Sequence, residues 1–228
     1  MERPILRWLA PAVVALSAVA CAAGGRSAAS AAVRPEPQQG EAAAVARARA
    51  DSIRHPYTEA DIDFMSGMIG HHSQAIVMAG WAQSHGASSG VLVLCQRIIN
   101  AQRDEIRIMQ QWLRERNQPV PAQDTTGRGM MMMGGQMHQM LMPGMLTDAQ
   151  MDTLNASRGP DFDQRFLRYM IQHHTGATSM VSRLFSTPGA AEDELTFKLA
   201  SDINVDQTTE IKRMHKMLTS LVLGVPVS

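Results

Sequence analysis

Between Gly129 and Met145 the chain reads GMMMMGGQMHQMLMPGM, with eight methionines, one histidine and enough glycine to deny it a stable helix. Two further places carry donor atoms at close spacing: His71-His72 within FMSGMIGHHSQAIVM (64–78) and His173-His174 within FLRYMIQHHTGATSM (166–180). Thioether sulfur combined with imidazole nitrogen, without a cysteine cluster, is the donor set for copper. Met favours Cu(I), and His accepts either oxidation state. Zinc would ordinarily want cysteines or a tighter set of His and carboxylate. A di-iron bundle would want a Glu-x-x-His from each of two helices, and neither Glu105 nor Glu210 has a histidine three residues on.

One His-His on a helix is ordinarily a hydrogen-bonded core residue beside a surface neighbour, and a Met stripe is ordinarily packing. Duplication changes the balance. Laying residues 64–78 over 166–180 matches Phe64 with Phe166, Met68 with Met170, both His-His pairs, Ala75 with Ala177 and Met78 with Met180; Asp61 and Asp163 also coincide. The segments that follow match as well, QRDEIRIMQQWL (102–113) over QTTEIKRMHKML (207–218), pairing Gln102 with Gln207, Glu105 with Glu210 and Met109 with Met214.

At 3.6 residues per turn Phe64, Met68, His71, Ala75 and Met78 share one stripe, as do Phe166, Met170, His173, Ala177 and Met180. One histidine of each pair is therefore expected to point inward and the other toward the edge. The candidate metal ligands are His71, His72, His173, His174, Met68, Met170, Met78, Met180, Met109 and Met214, joined by Met137, His138 and Met140 from the Met-rich segment. Glu105 and Glu210 could orient a ligating imidazole, or could simply pair with surface Arg and Lys. The Met-rich segment reads as a flexible string of soft donors. Its competing reading is a linker whose methionines cover the bundle end or absorb oxidants. His55 and His85 lack such support, and His215, opposite Gln110, is a secondary candidate.

These residues need helices to hold them. Helical periodicity runs from Tyr57 through Trp81 with Gly86 as a stop, and again from about Ser89 to Asn117, before Pro119 and Pro121. Thr147-Asp148-Ala149-Gln150 is a capping box for a short helix to about Ala156. Gly159-Pro160 opens a long helix to about Ser186. Thr187-Pro188 suggests the same device, N-cap then proline, for a last helix ending near Leu223-Gly224. No alternating strand pattern is found, so the fold class expected is all-α: two helical hairpins (57–117 and 159–224) joined by a Met-rich crossover (118–158), burying their faces as a four-helix bundle.

Balanced charge, 21 Lys+Arg against 21 Asp+Glu, gives no basic surface for nucleic acid. Arg3 and Arg7 precede a short apolar run, Trp8 to Ala20, broken by Pro11: the form of a secretory signal, too short to span a bilayer. Ser17-Ala18-Val19-Ala20-Cys21 resembles a lipobox, so residues 1–21 are expected to be a signal peptide and Cys21 a lipidated first residue holding the protein to a membrane; ordinary cleavage is the alternative. Residues 22–56 read as a flexible tether, with an Ala-rich stretch near 41–50 able to form helix. Cys95, left alone, reads as a small buried hydrophobe.

The paired signatures FMSGMIGHHSQAIVMA and FLRYMIQHHTGATSMV, each followed by a helix with E-I-x-x-M, together with PGMLTDAQMDTL and GPDFDQRFL, closely resemble the bacterial family called domain of unknown function 305, over about residues 57–221. The resemblance implies a ferritin-like four-helix bundle exported to the cell envelope. Some members are periplasmic copper proteins linked to copper tolerance, which implies metal binding at His71, His72, His173, His174 and the accompanying methionines. The Met-rich crossover is the departure.

The function expected is a lipid-anchored or periplasmic protein that binds copper ion and buffers, stores or hands it on. Two alternatives stay open: a redox enzyme such as a Cu(I) oxidase, although no acid-base or nucleophile constellation supports one, and an envelope interaction module without metal. Protein partners and oligomeric state, a homo-oligomer included, are left open.

Overall fold

The computed structural model describes residues 57–127, 130–133, 136–139 and 141–224, and residues 40, 42–44 and 46–47, which are helical. The signal segment, Cys21, His55 and Met140 lie outside the described residues.

Two of the long helices, and the short one, start where a side chain takes up free N–H groups. α1 (Glu59–Gly80) opens on a reciprocal cap between Thr58 and Asp61. α2 (Ser89–Glu115) follows a turn through residues 81–86, in which Gly86 adopts φ +69°. The short α3 (Asp148–Ala156) is capped by Thr147 and Gln150, and α4 (Gly159–Ser186) has Pro160 in its first turn. α5 (Glu194–Leu223) is capped by Asp193 and closed by Gly224 at φ +67°. The chain is thus all-helical in class, as expected. No helix among the described residues is long and apolar enough to cross a membrane.

Two local expectations are corrected. Thr187-Pro188 does not begin the last helix. It opens a turn, and α5 starts at Glu194 because the Asp193 carboxylate accepts from the Thr196 N–H, leaving 187–193 free to reverse the chain. The crossover, read as lacking strand pattern, carries a small antiparallel hairpin, β1 (Met130–Met133) with β2 (Gln136–Gln139), in which Met132 stands opposite Met137 and Met131 opposite His138. A run of one residue type has no period-2 alternation to read.

α1 packs on α2, α4 on α5, and α1 on α4; the outer pair α2 and α5 make no comparable contact. The core falls into two apolar clusters. One holds Ala75, Met78, Phe162, Phe166, Met170 and Met214; the other holds Phe64, Met68, Met109, Ala177, Met180 and Leu184. Each cluster draws on one side of the His-His pair in α1 and the opposite side in α4. The histidines therefore sit where the two clusters meet.

The hairpins also fasten each other. Asp61 at the head of α1 accepts from the Ala191 N–H in the α4–α5 turn at 2.7 Å, and Asp163 in α4 accepts from the Ser88 N–H in the α1–α2 turn at 3.1 and 3.2 Å.

Candidate metal centre

All four histidines of the two pairs are fully buried. The division into inward and edge positions is thus corrected: His71 and His173 meet across the α1–α4 contact, ring centroids 3.8 Å apart, while His72 and His174 turn to the partner helix of their own hairpin and stop short of solvent. Carboxylates there meet them. His72 Nε2–H donates to Glu105 Oε2 at 2.8 Å, and His174 Nε2–H donates to Glu210 Oε2 at 2.6 Å.

These bonds fix tautomers. An acceptor on Nε2 keeps the proton there and leaves Nδ1 with a bare lone pair. His71 obeys the same rule, since its Nε2–H donates to the Pro143 carbonyl at 3.0 Å. The Nδ1 atoms of His71, His72 and His174 are buried without a partner, and His173 lacks one on either nitrogen, so five imidazole nitrogens stand unbonded in the interior. Burying a polar atom unpaired costs roughly 1–3 kcal/mol each. Such atoms call for a ligand.

Protonation is suppressed. Burial first, then the neighbouring imidazoles His72 and His174, lower the His71 pKa to about 3 against a backbone bond to Pro143 that opposes the shift. Burial and the His71, His174 and His72 rings push His173 well below the ordinary range. Neutral imidazole is the form that ligates a metal.

The crossover is tied to this layer. Gln74, two residues past the α1 pair, donates to the Gly127 and Leu146 carbonyls and accepts from the Leu146 N–H, gripping the crossover on either side of the β1–β2 hairpin. Pro143-Gly144 then lies against Gly176 of α4 so closely that a Cβ there would fall 1.8 Å from the Pro143 carbonyl oxygen. In α1 the absent side chain of Gly67 leaves room for Met142 and Met180, whose terminal atoms lie 3.4 and 3.5 Å from where a Cβ would be. These thioethers, with Phe64, Pro143 and Leu184, line a cleft of about 900 Å³.

Of the expected sulfur donors, Met68, Met78, Met109, Met170 and Met214 are fully buried and Met180 nearly so. They are not gathered into one group: Met68, Met109 and Met180 belong to one apolar cluster and Met78, Met170 and Met214 to the other. Met137 and His138 are on β2, away in sequence from either pair. Among the described residues no three His, Cys, Asp or Glu side chains form a ready-made cage.

His85 is structural, its ring bonded to Ser84 and Asn155 and packed on Phe162; His215 is exposed on α5. Cys95 is a buried free thiol, its pKa raised to about 12 chiefly by burial. Sequence reasoning missed the placing of Gln74 and of the Pro143 carbonyl, and the burial of Gln102 and Gln207. The last pair had a signal, their coincidence in the two matched segments.

With this geometry in view, comparison with known proteins gives consistent matches. The model of DUF305, a domain of unknown function, matches residues 61–218. No curated protein matches. Among solved structures, a DUF305 protein from Streptomyces coelicolor is 26% identical with a TM-score of 0.60, covering 74% of this chain and 96% of that one. A DUF305 fragment from Deinococcus radiodurans is 28% identical with a TM-score of 0.56, covering 72% and 98%. CopM in its Cu(II)-bound form is 30% identical with a TM-score of 0.54, covering 70% and 96%, and that protein has also been solved with Cu(I) and with Ag.

Proposed function

This chain belongs to the DUF305 family, and from that premise we propose that it is a copper-binding envelope protein, a ferritin-like four-helix bundle of two repeated hairpins that buffers, stores or hands on the ion. One observation carries the reading: five buried imidazole nitrogens without partners, at the junction of two methionine-containing clusters. In this reading Nδ1 of His71, His72 and His174 and either nitrogen of His173 supply nitrogen donors. Met68, Met170, Met78, Met180, Met109 and Met214 supply sulfur from the two sides, and Glu105 and Glu210 hold two rings in the ligating tautomer. Soft donors suit Cu(I), and imidazole keeps Cu(II) acceptable. CopM, solved with copper in both states and with silver, supports the same class of cargo.

The Met-rich crossover is the capture segment in this proposal. Met132 opposite Met137 and Met131 opposite His138 bring soft residues into cross-strand register, joined in sequence by Met140, and the Met142–Met180 cleft lies next along the chain. Residues 1–21 direct export, Cys21 carries a lipid anchor and residues 22–56 act as tether. The Streptomyces relative, taken to be a secreted protein, agrees with export.

The test is competition for Cu(I) against a chromogenic chelator. His71→Ala with His173→Ala should weaken binding by about 100-fold or more while helicity is unchanged, because losing even the group that orients a ligating imidazole typically costs about 10–100-fold. Unchanged affinity in a folded variant would show the site to be misplaced.

A further inference from the structure

We propose that the cleft between α2 and α5 is a second cation site, built from the carboxylates of Glu105, Asp206 and Glu210 and the amides of Gln102 and Gln207, which takes a divalent cation retaining part of its water shell. The cleft has a volume of about 440 Å³ and shares no lining residue with the thioether cleft. It exists because α2 and α5 do not pack closely on each other.

Two buried amides point to a ligand. Gln102 and Gln207 are 2% and 3% exposed, yet both amide atoms of Gln102 and Oε1 of Gln207 have no hydrogen-bond partner. Each lies three residues before a glutamate, so on either helix amide and carboxylate emerge on the same side, one turn apart. The two helices thus present the same pair, Gln-x-x-Glu, to one space. Asp206 adds a third carboxylate at the mouth, where Arg97 and Arg213 also stand, leaving one negative charge in excess.

The donors fix the class of ion. All are oxygen atoms if the amides turn their carbonyls inward, a hard set suited to a hydrated divalent cation and poor for Cu(I). Among the described residues these carboxylates form no ready-made cage, so the ion proposed is one that keeps water in its coordination sphere. Glu105 and Glu210 belong to both places, since each lines the cleft and accepts an N–H from a buried histidine.

Manganese(II) is the probe, because its preference for oxygen donors and its low place in the affinity order keep it from the thioether-imidazole centre. Titration of the full chain, followed by loss of the free-ion EPR signal, should show one saturable site. Asp206→Asn, at an exposed position that does not threaten folding, and Gln102→Leu with Gln207→Leu should each weaken it by about tenfold or more. His71→Ala with His173→Ala should leave Mn(II) binding unchanged. Absence of saturable binding, or equal affinity in the cleft variants, would overturn the site. Failure of Cu(I) binding alongside intact Mn(II) binding would count against the copper reading and leave this one standing.

Discussion

His71 and His173 face each other across the α1–α4 contact with their rings tilted 42° and their centroids 3.8 Å apart. Both are held neutral by burial, so the unfolded chain takes up protons at a pH where the folded protein does not. Their contribution to stability is full above the unfolded value of 6.5 and is lost as pH falls toward the folded value, about 3 for His71. The metal-free protein should therefore lose a few kcal/mol between pH 6.5 and 3. Urea midpoints measured across that range would check it, and His71→Asn should flatten the slope. A wild-type curve without slope there would refute the assignment.

Glu105 and Glu210 act on copper through the tautomer they impose. Glu105→Ala should reduce Cu(I) affinity by about 10–100-fold. Glu105→Gln, whose amide oxygen can still accept from His72 Nε2–H, should retain most of it. Chelator competition on the two variants separates an orienting role from a purely electrostatic one, which would make them equal.

Gly176 is the point where the crossover touches α4. An added Cβ meets the Pro143 carbonyl at 1.8 Å and Gly144 Cα at 2.6 Å, both backbone atoms that cannot swing aside. Gly176→Ala should lower stability by about 2–3 kcal/mol despite alanine's better helix propensity. Because the displaced loop carries the acceptor for His71, the same variant should weaken Cu(I) binding. A denaturant midpoint at or above that of the wild type would refute the contact.

Asp193 joins α2 to the start of α5. It accepts from the Trp112 indole N–H at 2.8 Å, from Thr196 N and Oγ1 at 3.0 and 2.9 Å, and from Arg116 Nη2 at 2.6 Å. Burial alone would raise its pKa, but these bonds outweigh it and the pKa is lowered. Its contribution is therefore present at neutral pH and lost as pH falls through the folded pKa. Asp193→Ala removes a helix cap and leaves the Trp112 donor unpaired, at a cost of about 2–4 kcal/mol. Thermal unfolding at pH 7 measures it.

Much of this arrangement was legible beforehand for reasons that can be named. Helix boundaries at Thr147 and Gly159-Pro160 follow from capping chemistry, which is local. The matched segments marked Glu105 and Glu210 as groups that could orient an imidazole or pair with surface Arg and Lys, without saying which ring; the structure sets them on His72 and His174. The start of α5 was missed because Asp193, with no glutamate or glutamine three residues on, lacks the capping-box signature, and its bonds to Trp112 and Arg116 are long-range features that sequence spacing does not encode. The burial of all four imidazoles was missed for a similar reason: periodicity distributes residues around one helix, and it says nothing of Glu105 and Glu210 covering the outer ring of each pair. The Pro143 carbonyl has no side-chain signature at all.

The reciprocal bonds Asp61–Ala191 and Asp163–Ser88 make the two halves mutually dependent. A chain severed within the crossover would give two fragments, each missing the carboxylate that fastens its own bend. Mixed together, the fragments carry every such fastening again. Complementation in trans, with neither piece cooperative by itself, is what this wiring entails.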